Sequence, residues 1–200
     1  MLNINQIFQQ HLELLKASQS LIPQIEQVAE KLSARSCAGG TLYWCGNGGS
    51  AADAQHFAAE LVGRFFEERP AIASVALSTD SSVLTALSND YSFDIIFSRQ
   101  IEALCKANDA VICISTSGNS ANIVKAATAA KAKGAYVLGL TGHQGGKLAA
   151  LVDDCLIVPS NYTPRIQEIQ VFLGHILCEW IEKKIMMLNS KKHIDNTVSA

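Results

Sequence analysis

WCGNGGSAADAQHFAAELVGRF, residues 44 to 65, runs from an apolar segment into a glycine turn and then into a helix that carries His56 and Glu60. An apolar segment with no polar face reads as a strand buried on both sides, and glycines allow the sharp turn from strand to helix. The stretch is therefore the opening half of a βαβ unit.

The same pattern recurs outward from it. Strands are expected at 41 to 45, 72 to 77, 110 to 114, 135 to 140 and 155 to 158, and helices near 50 to 64, 81 to 88, 93 to 106, 120 to 133 and 164 to 188. Strands and helices that alternate in this way predict an α/β fold, a doubly wound five-stranded parallel sheet flanked by helices. Ligands bind such sheets beyond the carboxyl ends of the strands, so the loops after Cys45 and Ile114 are where chemistry is expected.

Upstream, Ile4, Phe8, Leu15, Ile22, Ile25, Ala29 and Leu32 recur on three- and four-residue steps, the pattern of a helix. Pro23 fits the first turn of a second helix, so two helices with a bend near residues 21 to 23 are expected. His11 and Ser18 interrupt the apolar seam. Such helices need a surface to pack on, and a partner subunit is the natural one. This gives an amino-terminal helical segment (1–36) for oligomerisation, a main domain (37–190) and a tail (191–200). The pattern is lost over residues 186 to 200, which are expected to fray.

The chain has 200 residues, 48% apolar and 17% charged, enough for one domain with a substantial core. A net charge of -2 leaves no basic footprint for nucleic acid or an anionic membrane, which points to small molecules or proteins as partners. No signal segment and no membrane-length apolar run is visible, so a cytoplasmic location is expected. Most of the six cysteines lie in apolar runs and none forms a C-x-x-C pair, so they read as reduced structural thiols.

Two loops and three side chains carry the chemistry. Gly46-Asn47-Gly48-Gly49-Ser50 has the glycines of an anion cradle, and Ser50 with Asp53 has the spacing of a helix cap. It matches neither the dinucleotide fingerprint nor the P-loop, and by itself it reads equally as an ordinary turn. Ser115 to Ser120, STSGNS, offers four hydroxyls at a helix start, a phosphate site or a simple serine cap. His56 and Glu60 stand at i and i+4 on an otherwise apolar helix, which favours a partly buried pair over a surface one. His175 stands alone among apolar residues of the last helix. His11, His143 and His193 read as surface residues.

CGNGGSAADAQHFAAELVGRF, SNDYSFD, STSGNS, LTGHQGGKLA and RIQE followed by GHIL, taken in order, resemble the sugar isomerase (SIS) fold and, within it, the phosphoheptose isomerase family. That resemblance implies interconversion of sedoheptulose 7-phosphate and D-glycero-D-manno-heptose 7-phosphate, a precursor of surface polysaccharide, through an enediolate. It implies that Ser115, Thr116, Ser117 and Ser120 hold the phosphate, and that Asn47, Gly48, Ser50, Arg64, Asp90 and Gln167 belong to the substrate pocket. Glu60 and His175 become the acid–base pair. The resemblance further implies a homotetramer with active sites between subunits, and zinc held by His56, Glu60, Gln167 and His175.

Gln167 and His175 are eight residues apart, a rise of about 12 Å on a regular helix, so both reach one ion only from an irregular helix start or from two subunits. Gln170 and Pro164 depart from the family pattern: Gln170 stands where many relatives have histidine. A non-catalytic family on the same fold, which binds the replication initiator DnaA, resembles the chain almost as extensively. It reads HFAAS where this chain reads HFAAE, and the retained Glu60 favours the isomerase.

Overall fold

The structure, a computed structural model, describes residues 3–198, with side chains described to Leu188. Five strands, β1 (Leu42–Gly46), β2 (Ser74–Ala76), β3 (Ala110–Ser115), β4 (Tyr136–Thr141) and β5 (Asp154–Ile157), form one parallel sheet in the order β2-β1-β3-β4-β5. The helices are α1 (Ile4–Ser18), α2 (Ile22–Cys37), α3 (Gly49–Val62), α4 (Ser81–Asp90), α5 (Ser98–Leu104), α6 (Ala121–Ala132), α7 (Gly146–Ala149) and α8 (Thr163–Val198).

Alternation along the strands sorts the core into two layers. Leu42 and Trp44 of β1, Ile112 and Ile114 of β3 and Leu138 and Leu140 of β4 pack against α2, α3 and α8. Their neighbours Tyr43, Cys45, Val111, Cys113 and Val137 face α5 and α6 on the other side. Both faces are covered, which is why the strands read as continuous apolar runs. The winding reverses between β1 and β3, so the loops after these two strands flank the crevice where such sheets take ligands.

The expected bend in the amino-terminal segment is a short 3-10 turn at Gln19–Leu21, with Pro23 in the first turn of α2, where its missing N–H costs nothing. Both seam exceptions have partners. The Ser18 hydroxyl donates to the Leu14 carbonyl at 2.8 Å, and His11 Nδ1 lies 2.8 Å from Glu168 Oε2. His11 is thus a half-buried partner of α8 rather than a simple surface residue.

Four local expectations need correcting. The helix expected at 93–106 is a 3-10 turn at Phe93–Ile95 followed by α5, because the Ser92 hydroxyl accepts the Asp94 N–H and sets up a local turn instead. Strand β2 is limited to three residues, since the Ile72 N–H donates to the Leu61 carbonyl of α3 rather than to the sheet. Ser50 does not cap α3: the cap position is Gly48, and Ser50 is buried inside the first turn. Finally, α8 continues to Val198 where fraying was expected from 186. No glycine or proline interrupts 186–198, and a formed helix extends by one hydrogen bond per residue.

Candidate active site

β1 ends at Gly46, where a Cβ would stand 2.4 Å from the Ser50 carbonyl oxygen, so the turn closes only around glycine. Gly48 follows at φ +54°, a left-handed conformation that puts the next N–H groups at the start of α3. Asn47 and Asn122 exchange two amide hydrogen bonds of 2.9 and 2.8 Å, which tie this loop to the first turn of α6. Asn122 is 2% exposed, and the sequence reading did not single it out.

The serine loop joins β3 to α6. Ser115 and Ser120 hydroxyls lie 3.2 Å apart, and Ser117 Oγ accepts the Asn119 N–H. Ser120 occupies the cap position of α6, yet its side chain makes no capping bond, so its hydroxyl is turned toward Ser115. The TGHQGG turn buttresses this loop. Gly142 N–H donates to the Thr116 carbonyl, Leu148 N–H to that of Gly118, and a Cβ on Gly118 would meet the Gly145 carbonyl oxygen at 2.0 Å.

His56 and Glu60 share one face of α3, and α8 brings His175 to it. The link is Gly174: a Cβ there would fall 2.1 Å from Phe57 Cζ, so the absence of a side chain lets the buried Phe57 ring seat against α8. His56 Nε2 lies 2.7 Å from His175 Nε2 and 3.6 Å from Glu60 Oε1. The Glu60 side chain is 24% exposed and that of His56 48%, so Glu60 is half-buried but His56 is exposed, and the partly buried pair expected from the sequence is only half realised. The rings of Phe57 and Phe65 flank His175 at 6.0 and 5.7 Å.

The other residues expected in the pocket are more dispersed. Gln167 lies in a regular helical turn of α8 with its amide against Gly49, where a Cβ would be 2.1 Å from Nε2. Asp53 stands one turn before His56; burial pushes its carboxyl up, and the nearby Gln167 amide opposes that shift. Arg64 is 65% exposed and pairs loosely with Glu68 at 4.0 Å. Asp90 is exposed at the end of α4 beside Asn89. Gln170, the departure from the family pattern, is fully buried.

The donor atoms of His56, Glu60 and His175 all lie within 4.8 Å of one another. Two imidazoles and a carboxylate are ligand types that zinc takes. With bonds of about 2.0–2.1 Å, tetrahedral ligands stand about 3.3 Å apart. The 3.6 Å pair suits that spacing, and the 2.7 Å pair would open slightly. The set fits zinc. α8 is regular through Gln167, so an irregular helix start does not bring Gln167 to this set.

Residues 6–142 match the family model described as the SIS domain. The chain is 51% identical to the phosphoheptose isomerase of Helicobacter hepaticus over 88% of its own length and 90% of that protein. It superposes on the phosphoheptose isomerase structure from Neisseria gonorrhoeae with a TM-score of 0.85 at 43% identity, covering 90% and 97% of the two chains. The structure from Francisella tularensis gives 0.87 at 36%, covering 90% and 96%.

Proposed function

We propose, from the premise that the chain belongs to the SIS domain family and within it to the phosphoheptose isomerases, that the face formed by His56, Glu60 and His175 is its catalytic centre. The protein is an aldose–ketose isomerase converting sedoheptulose 7-phosphate to D-glycero-D-manno-heptose 7-phosphate. Relatives that are themselves phosphoheptose isomerases leave the DnaA-binding alternative without support. The observation that carries the site is the meeting of a carboxylate and two imidazoles within 4.8 Å on two facing helices.

Moving a carbonyl from C2 to C1 requires a base for a carbon-bound proton and an acid for the oxygens. Glu60 removes the C1 proton of the ketose and returns a proton to C2. His175 serves the two oxygens as the enediolate forms and collapses. The hydroxyls of Ser115, Thr116, Ser117 and Ser120 and the positive end of α6 hold the phosphate. Asn47, Gly48 and Ser50 line the open-chain sugar, and Arg64, Asp90 and Gln167 complete the pocket. Zinc held by His56, Glu60 and His175, with Gln167 from a neighbouring subunit, would supply Lewis-acid polarisation of the carbonyl.

A homotetramer is the proposed assembly. Ile4, Phe8 and Leu12 form an exposed apolar stripe along α1 at 65%, 66% and 45% exposure, a surface suited to another subunit. Mass measurement by light scattering tests it. Among the described residues no helix is long and apolar enough to cross a membrane, and a cytoplasmic location is proposed.

The test of the activity is incubation of purified protein with sedoheptulose 7-phosphate and detection of the aldose. Conversion is expected, and none would overturn the reading. Chelation is expected to abolish it and zinc to restore it; full turnover with metal content near zero would remove zinc from the site.

A further inference from the structure

Away from the reacting face lies a buried ion pair that the reaction does not use directly. Arg69 Nε donates to Glu182 Oε1 at 3.0 Å, and each side chain is only 1% exposed. Burying two charges costs several kcal/mol, offset only when every remaining donor and acceptor is engaged. Here they are. Glu182 accepts the backbone N–H groups of Phe65, Phe66 and Glu67 at 2.9, 2.8 and 3.1 Å. The Arg69 guanidinium donates to the carbonyls of Glu60, Leu61, Gly63 and Pro70 at 2.9, 2.8, 3.2 and 3.1 Å.

The geometry links this pair to the catalytic face at both ends. Gly63 ends α3 at φ -78°, without the left-handed turn that usually satisfies the last carbonyls, and Arg69 does that work instead. One of those carbonyls belongs to Glu60. Glu182 lies seven residues beyond His175, two turns along the same side of α8. Between the two anchors runs the 63–69 segment, which places the Phe65 ring 5.7 Å from the His175 ring.

We infer that Arg69 and Glu182 are positioning residues for the isomerase reaction: their ion pair locks the end of α3 to α8 and so fixes Glu60 relative to His175. The inference rests on Glu60 and His175 being the acid–base pair. A displacement of about 1 Å between reacting groups costs up to about 100-fold in rate, whereas a purely structural clamp would alter only the melting temperature.

The test compares wild type, Glu60→Gln, Arg69→Lys and Glu182→Gln as full-length proteins, with kcat and KM for sedoheptulose 7-phosphate measured at a temperature where circular dichroism shows each folded. Lysine keeps the charge but not the fork that reaches four carbonyls, and glutamine cannot accept all three N–H groups. Both variants are expected to lose about 10- to 100-fold in kcat with KM changed less than about threefold. Folded variants with wild-type kcat and a lowered melting temperature would overturn the inference. Should neither fold, Glu182→Asp keeps the carboxylate but draws it back by one methylene from Arg69 and the backbone N–H groups; a fall in kcat with KM little changed supports the inference and a wild-type kcat overturns it. Retained turnover in Glu60→Gln would instead overturn the acid–base assignment.

Discussion

Gln167 packs its amide against the first residue of α3, where a Cβ of Gly49 would be. Gly49→Ala therefore pushes aside the end of a flexible side chain rather than backbone. The expected result is a melting temperature close to wild type and a KM raised about fivefold, the equivalent of one hydrogen bond of about 1 kcal/mol. Steady-state kinetics beside a thermal melt checks it. At this scale the sequence was informative wherever chemistry follows local spacing. His56 and Glu60 come from an i, i+4 step, and the serine loop from a run of hydroxyls at a helix start. Arg69 and Glu182 were not visible, because each stands in a charged stretch, EERP and IEKK, that reads as solvated surface. Nothing in the spacing joins residue 69 to residue 182. Asn122 was hidden for a related reason: its partner Asn47 lies 75 residues away.

The packing of α3 on α8 turns those residues into a site. Gly174 is one point of close approach, and the Phe57 ring it admits is fully buried between the helices and Trp44, 5.2 Å away. Gly174→Ala has no such room. Forcing one methyl into the contact is expected to cost about 1–3 kcal/mol and lower the melting temperature by about 3–10 °C. Activity should fall with it, since the residue next in sequence is His175; an unchanged melt would contradict this packing.

The Glu182 anchor adds a pH dependence. Burial alone would raise its carboxyl, but the three backbone N–H groups and Arg69 together outweigh that and hold it below the usual glutamate range. The folded state thus binds this proton less readily than the unfolded chain. The contribution is present above the usual range and lost as pH falls through the lowered folded value. Thermal melts should be flat from neutrality to about pH 5 and then decline, more steeply in wild type than in Glu182→Gln. Equal slopes would remove Glu182 as a source of acid sensitivity.

The described residues form a single sheet covered by helices on both faces, whose candidate ligand crevice and candidate catalytic face are held by different contacts. The crevice between β1 and β3 is framed by the glycine and serine loops, joined through Asn47 and Asn122. This architecture was legible because strands buried on both faces announce themselves as short apolar runs. Less legible were the 3-10 turn before α5, set by one serine hydroxyl, and the long carboxyl-terminal run of α8, where polar residues simply extend a helix already begun.

The central claim is that Glu60 moves a proton between C1 and C2. Its most direct test is conversion of sedoheptulose 7-phosphate in deuterium oxide, followed by NMR of the aldose at C2. Wild type should deliver product carrying solvent deuterium at C2, and Glu60→Gln, folded and able to bind the sugar phosphate, should deliver neither product nor label. Labelled product from Glu60→Gln at the wild-type rate would contradict the account.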